Sequence, residues 1–248
     1  GRETQDDVVM FSETLRKIPV VVQECPGFLV NRLLMPYLNE ATLALEEGAA
    51  TATEIDRAVV EWGMPMGPFT LMDMLGIDVC ADVGEYLYSE YGDRMTPARL
   101  FEKLLEADRL GEKSGAGFYD HPGGESEEVH RMIEDLQSSG DVASGTSFSV
   151  ERVMYPLINE AAHCVLENVA TMTDIDMAVV AGTGMTFDGD RVGPLVVADR
   201  VGLDEVEGKL RELEDEFGPR FRPARPLRLR VRAQHLGVKS GKGFYEHT

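Results

Sequence analysis

Cysteine is scarce in this chain, with three in 248 residues, and Cys25, Cys80 and Cys164 form no CxxC pair. A disulfide framework is therefore excluded, and reduced thiols in a cytoplasmic protein are expected. No apolar run approaches the roughly 20 residues that a membrane span requires. The opening Gly-Arg-Glu-Thr-Gln-Asp-Asp lacks the pattern of a secretory leader. Because the first residue is Gly1 and not Met, a fragment, a processed chain or a cleaved one is expected. Positive charge is short as well: 24 Lys and Arg face 44 Asp and Glu, a net charge of −20. Such a surface repels nucleic acid and anionic membranes, so neither is an expected partner. There is no GxGxxG, no HExxH and no Cys/His cluster, which removes the dinucleotide fingerprint and the usual zinc motifs.

What is present is a pattern that occurs twice. Pro36-Tyr-Leu-Asn-Glu-Ala41 returns as Pro156-Leu-Ile-Asn-Glu-Ala161, and Thr53-Glu-Ile-Asp-Arg-Ala-Val-Val60 as Thr173-Asp-Ile-Asp-Met-Ala-Val-Val180, both offset by 120. Gly67-Pro68 then matches Gly193-Pro194, and Glu112-Lys-Ser-Gly-Ala-Gly-Phe-Tyr119 matches Val238-Lys-Ser-Gly-Lys-Gly-Phe-Tyr245, both offset by 126. Four ordered blocks define a tandem duplication, and the second copy carries about six extra residues around 184–191. Residues 122–146, rich in Gly, Ser and Glu at the start, read as a linker with one short helix over 127–136.

Each copy reads as helices. The first long one is predicted over 27–47, stopped by Gly48, with Leu34, Leu38, Ala41 and Leu45 on one stripe. Thr53 with Asp56, and Thr173 with Asp176, have the spacing of capping boxes. Gly67-Pro68, Gly193-Pro194, Pro97 and Pro223 suit the openings of further helices. Residues 8–17 read as a helix and 19–23 (Pro-Val-Val-Val-Gln) as a buried strand. One helix and one strand are too little for a domain and suggest the end of an α/β unit.

Asn31 is the side chain of most interest. It shares the stripe of Leu34, Leu38 and Ala41, so it is either a satisfied core amide or a group facing a ligand in a cleft. Its counterpart, Glu151, cannot donate as an amide does. Asn39-Glu40 and Asn159-Glu160 occur in both copies and are assigned to the fold. Glu160-x-x-His163 has the spacing of half a di-metal motif, but copy one has Leu43 at the histidine position, and no metal is expected. Gly237-Val-Lys-Ser-Gly-Lys-Gly misses the phosphate-loop spacing. The basic run 220–232 could hold ligand phosphates or pair internally with the acid-rich 204–216. None of the histidines 121, 130, 163, 235 and 247 has an evident partner for base catalysis, and His121, His130 and His247 are expected in solvent.

The stretch from Pro19-Val-Val-Val through Pro26-Gly-Phe-Leu-Val-Asn-Arg-Leu-Leu-Met-Pro-Tyr-Leu-Asn-Glu-Ala41 closely resembles 3-hydroxyacyl-CoA dehydrogenases at the junction of their NAD-binding and helical domains. Gly63-Met-Pro-Met-Gly-Pro-Phe-Thr-Leu-Met-Asp73, Gly76-Ile-Asp78 and Lys113-Ser-Gly-Ala-Gly-Phe-Tyr119 continue it in order. The resemblance covers nearly all of copy one and, more loosely, copy two. It implies a mainly α fold: two tandem helical domains like the 6-phosphogluconate dehydrogenase C-terminal domain, after a helix–strand remnant of a Rossmann domain. The implied division is 1–25 remnant, 26–121 first helical domain, 122–146 linker and 147–248 degenerate second copy.

The implied activity is NAD-dependent oxidation of 3-hydroxyacyl-CoA to 3-oxoacyl-CoA in fatty-acid β-oxidation. The family's base histidine, the glutamate that orients it and a serine lie in its Rossmann domain and have no counterpart here, nor does the NAD site. Asn31 matches the active-site asparagine, which orients substrate and histidine. Met66, Gly67, Pro68 and Phe69 match a turn near the acyl pocket. Glu151 for the asparagine, and Thr146-Ser147 for Pro26-Gly27, mark copy two as a structural partner without the site. The implied partners are acyl-CoA, a homodimer mate through the helical domains, and a hydratase domain in the same chain or a thiolase subunit. In the multifunctional proteins the second copy can take the first copy's dimer surface. Beside the enzyme-part reading stands another, a non-catalytic oligomerisation or acyl-CoA-binding module.

Overall fold

The computed structural model describes residues 1–145 and 147–247. Thr146, set opposite Pro26 by the repeat, and the terminal Thr248 lie outside the described residues. The fold is mainly helical. Helix α1 (Arg2–Thr14) leads into copy one: α2 (Phe28–Glu46), α3 (Ala52–Trp62), α4 (Pro68–Leu75), α5 (Ile77–Tyr91) and α6 (Leu100–Glu106). After α7 (Glu127–Ser139), copy two repeats the order as α8 (Val150–Leu166), α9 (Met172–Thr183), α10 (Pro194–Val201), α11 (Leu203–Phe217) and α12 (Arg225–Arg232). No helix among the described residues is long and apolar enough to cross a membrane.

α2 and α8 are the central pair and make the most extensive helix–helix contact. The stripe Leu34, Leu38, Ala41 and Leu45 is buried as its spacing requires, and Gly48 follows α2 at φ 71°. The predicted linker helix is integral to the packing, because α7 lays Val129, Ile133 and Leu136 against α2 and α6. The six extra residues form a hairpin, β1 (Thr186–Phe187) with β2 (Asp190–Arg191), antiparallel. Its turn is Asp188-Gly189, both at positive φ, the two-residue geometry that Asp-Gly favours.

Residues 19–23 are not the buried strand expected: they form no strand among the described residues, and none of the five is fully buried. A strand needs a ladder partner, and here the one recorded contact of this kind is the Gln23 N–H donating to the Val169 carbonyl at 2.7 Å.

The capping boxes lie two residues earlier than their spacing suggested. Thr51 caps α3, with Glu54 returning the bond to the Thr51 N–H at 3.0 Å, and Thr171 caps α9 through the Asp174 N–H. Thr51-x-x-Glu54 and Thr53-x-x-Asp56 fit the same pattern, so sequence could not choose between them. Asp56 instead faces inward and receives the Phe69 and Thr70 N–H groups, at 2.9 and 3.1 Å. It thereby caps α4 from a distance. Asp176 does the same for α10 through Leu195 and Val196.

Candidate functional site

Asn31 stands in the first turn of α2. That helix starts from Gly27 at φ 76°, where a Cβ would come within 2.7 Å of Leu87 Cδ2. Of the two alternatives, core amide or cleft, the structure places Asn31 in a cleft: it is exposed, and among the described residues its side chain has no hydrogen-bond partner. It lines an open cleft of about 860 Å³. The floor is apolar, from Val30 on α2 and Met177, Ala178 and Ala181 on α9. Arg16, Lys17 and Arg191 stand at its rim, and no carboxylate lines it, so an otherwise acidic molecule presents a cationic mouth here.

The second copy builds half of this cleft. Gly182 on α9 lets Val30 approach, since a Cβ there would lie 3.3 Å from Val30 Cγ1. The hairpin docks on copy one, with Thr186 N–H donating to the Gly63 carbonyl at 2.9 Å and Phe187 tilted on Trp62 at 5.3 Å. Arg191 is thereby carried to the rim.

The residue after Asn31 fixes the start of α2. Arg32 is fully buried and donates to Glu160 at 2.7 Å and pairs with Glu167 at 2.7 Å, with its guanidinium 4.5 Å from the Tyr91 ring centroid. Arg152 repeats this with Glu40, Glu47 and Phe217. Neither arginine was singled out from sequence, although their shared offset of 120 was readable. Beside Arg32, burial raises the Cys25 thiol pKa, so Cys25 is no activated nucleophile.

Met66, Gly67, Pro68 and Phe69 do not join Asn31. Pro68 and Phe69 are buried, Phe69 against Phe118 at 4.7 Å. Met66 and Gly67 line a different cleft, with Asp56 and Tyr119. Gly67 is glycine because the Asp56 carboxyl occupies the space, 2.1 Å from an added Cβ. The same device recurs at Gly193 with Asp176, so the turn has a capping role in both copies.

His121 and His247 also depart from expectation. Their Nε2 atoms lie 2.8 Å from Asp73 and Asp199 and are half-buried. Each aspartate additionally accepts two amides from its own glycine loop: Phe118 and Tyr119, or Phe244 and Tyr245. The pairings 73/199 and 121/247 keep the 126 offset, a signal present in the sequence but unused. These loops do not fit a dinucleotide pyrophosphate, because their amides are already taken by an internal carboxylate. Among the described residues no group of three His, Cys, Asp or Glu is arranged to hold a metal. Asn39 and Asn159 are structural, each bridging a carbonyl and an N–H ahead of α6 or α12: Thr96 with Ala98, and Arg222 with Ala224.

Comparison with known proteins shows the family of this fold. The model of the 3-hydroxyacyl-CoA dehydrogenase C-terminal domain matches twice, over residues 27–121 and 148–247. The chain belongs to that family. It is 37% identical over 235 residues to the fatty acid oxidation complex subunit alpha of Idiomarina loihiensis, covering 93% of this chain and 32% of the relative. It is 34% identical over 248 residues to that of Shewanella amazonensis, covering 98% and 34%. The chain thus spans about a third of the length of the curated relatives it matches. Among solved structures, 3-hydroxybutyryl-CoA dehydrogenase from Escherichia coli K12 shares the fold with a TM-score of 0.78 at 24% identity, over 94% of this chain and 65% of that one. The dehydrogenase part of multifunctional enzyme 1 from C. elegans shares it at 0.64 and 23%, over 90% and 52%.

Proposed function

We propose that this chain is the helical C-terminal part of an NAD-dependent 3-hydroxyacyl-CoA dehydrogenase of fatty-acid β-oxidation, and that Asn31 is its contribution to the active site. One observation carries the reading: Asn31 is an exposed amide without a partner, on the wall of a cleft with an apolar floor and a cationic rim, while the buried Arg32 beside it is held by Glu160 and Glu167. An amide free to donate and accept in such a cleft can orient a bound substrate and a neighbouring catalytic group by hydrogen bonds. The apolar floor suits an acyl chain, and Arg16, Lys17 and Arg191 suit an anionic CoA moiety.

NAD belongs, in this reading, to a domain outside these residues, with 1–25 the end of that domain, 26–121 the working helical domain, 122–146 the connection and 147–248 a copy without the site. The chain alone then turns over no substrate. Its relatives' name supports a place in a fatty acid oxidation complex; a hydratase or thiolase activity alongside and a cytoplasmic location belong to the same proposal. The test is Asn31→Ala in the longer enzyme: kcat/KM should fall roughly a hundredfold or more, as for removal of one preorganised donor, with the melting temperature unchanged. Full activity would overturn the assignment.

A second reading, a non-catalytic oligomerisation or acyl-CoA-binding module, draws on the closure of the two copies on each other. It predicts that the native protein has no longer form and that the 27.4 kDa chain binds acyl-CoA unaided.

A further inference from the structure

Five arginines in this acidic chain line one cleft, of about 300 Å³: Arg94 from copy one, and Arg220, Arg222, Arg225 and Arg228 from copy two. His163 closes it from α8, and no Asp or Glu is among its lining residues. Internal pairing, which the sequence suggested for this basic run, accounts for only part of the charge. Arg94 reaches Glu160 at 3.2 Å, Arg220 reaches Glu40 at 2.8 Å and Arg222 reaches Glu214 at 2.7 Å. Arg225 and Arg228 enter no ion pair among the described residues.

Two further facts show that the cluster is not fully satisfied internally. The Nε atoms of Arg94 and Arg228 are both buried without a hydrogen-bond partner. A buried guanidinium N–H left unpaired is costly, and such groups in a folded protein call for a bound water or ion. The duplication then supplies an internal control. At the repeat offsets, Arg228 stands where copy one has Glu102, Arg222 where it has Thr96, and His163 where it has Leu43. Copy one builds the same helix, α6, with an acidic residue at that position. Arg220 and Arg225 match Arg94 and Arg99 of copy one, so the basic residues gained by the second copy are Arg222, Arg228 and His163.

We propose that this cleft binds a phosphate-bearing anion, held by Arg228, Arg225 and Arg222 from copy two and by Arg94 from copy one. Planar guanidinium groups match phosphate oxygens in forked pairs, and Arg225 and Arg228 have no carboxylate partner among the described residues to compete with such an anion. Because Arg94 comes from the other copy, the site exists only when the two copies are packed together. The shared chemistry is a phosphate monoester or diphosphate, whether free or on the adenosine end of a CoA thioester or nucleotide.

The test is calorimetric titration of the full chain with adenosine 3′,5′-bisphosphate, inorganic pyrophosphate and inorganic phosphate as separate probes. Saturable binding is expected, weakened at least roughly tenfold by Arg228→Glu and by Arg225→Gln, in keeping with loss of a charge-assisted pair. Arg225 is exposed, so its substitution leaves folding unaffected and keeps the test decisive if Arg228→Glu unfolds. Tighter binding of the bisphosphate than of pyrophosphate assigns the cleft to a nucleotide-bearing ligand, and the reverse order to free phosphate. No saturable binding of any probe overturns the proposal, as does binding that both substitutions leave unchanged. Capture of a polyglutamate peptide but of no phosphate overturns it too, and makes the cleft a protein-docking surface. None of these outcomes depends on Asn31, so the site can fail or stand independently of the proposed catalytic role.

Discussion

Arg32 of copy one is held by Glu160 of copy two, and Arg152 of copy two by Glu40 of copy one, at 2.7 and 2.8 Å. The exchange is symmetric in its further members. Glu167 and Glu47 take the second guanidinium arm, Arg94 and Arg220 add a second cation to each shared glutamate, and Tyr91 and Phe217 lie against the buried arginines. A pair of contacts in which i meets j and j meets i is the logic of a twofold dimer. Here it is written into one chain by duplication.

Breaking one arm of this exchange leaves a buried carboxylate short of its main partner. Arg32→Ala is therefore expected to lower unfolding free energy by about 3–5 kcal/mol, the range for truncating one member of a buried ion pair. Arg152→Ala should behave alike. Urea denaturation checks both, and a loss below about 1 kcal/mol, the scale of exposed pairs, would show that the copies are held by other contacts.

The asparagines separate structure from function. Asn39→Ala removes an acceptor from the Ala98 N–H and a donor from the Thr96 carbonyl, and should cost roughly 1–3 kcal/mol. Asn31→Ala removes no recorded bond, and should stay within about 0.5 kcal/mol of the parent. Thermal melts of the two variants, side by side, would expose an error if Asn31→Ala were the more damaging.

Glycine at 117 is demanded by contact. A Cβ there would sit 2.0 Å from Asp73 Oδ1, the oxygen that accepts the Phe118 N–H at 2.8 Å. Gly117→Ala must displace that carboxylate from its amides and should destabilise by more than about 2 kcal/mol, since strain and orphaned buried groups add. Gly124→Ala, with nothing within 4 Å of the added carbon, is the control and should be nearly neutral by denaturation.

Stability should also depend on pH through Glu46. Burial raises its pKa from 4.5 to about 7, so between these values the folded state binds more protons than the unfolded one. Stability contributed by the neutral acid is present below pH 4.5 and is lost as pH rises through about 7. Asp176, pushed up to about 6 by burial, acts with the same sign. Glu46→Gln keeps an acceptor for the Leu100 N–H but cannot ionise. It should flatten the fall in melting temperature between pH 5 and pH 8, by an amount corresponding to a few kcal/mol at most. An unchanged pH profile would mean Glu46 is already paired or neutral throughout.

Sequence by itself determined the duplication, the helical class, the insertion in copy two and the glycines and prolines that break the helices. All of these are local: they follow from periodicity, from glycine and proline backbone limits, and from motif spacing. It also carried Asn31 as far as a choice between core and cleft. Tertiary structure decided that choice, because the face of a helix that meets solvent depends on what packs beside it, here α9 and the hairpin of the other copy. The partners of Asp56, Asp73 and Arg32 were likewise out of reach, 13, 45 and 128 residues away. A carboxylate's hydrogen bonds are set by proximity in space, and no local pattern encodes which distant N–H or guanidinium the fold will bring to it.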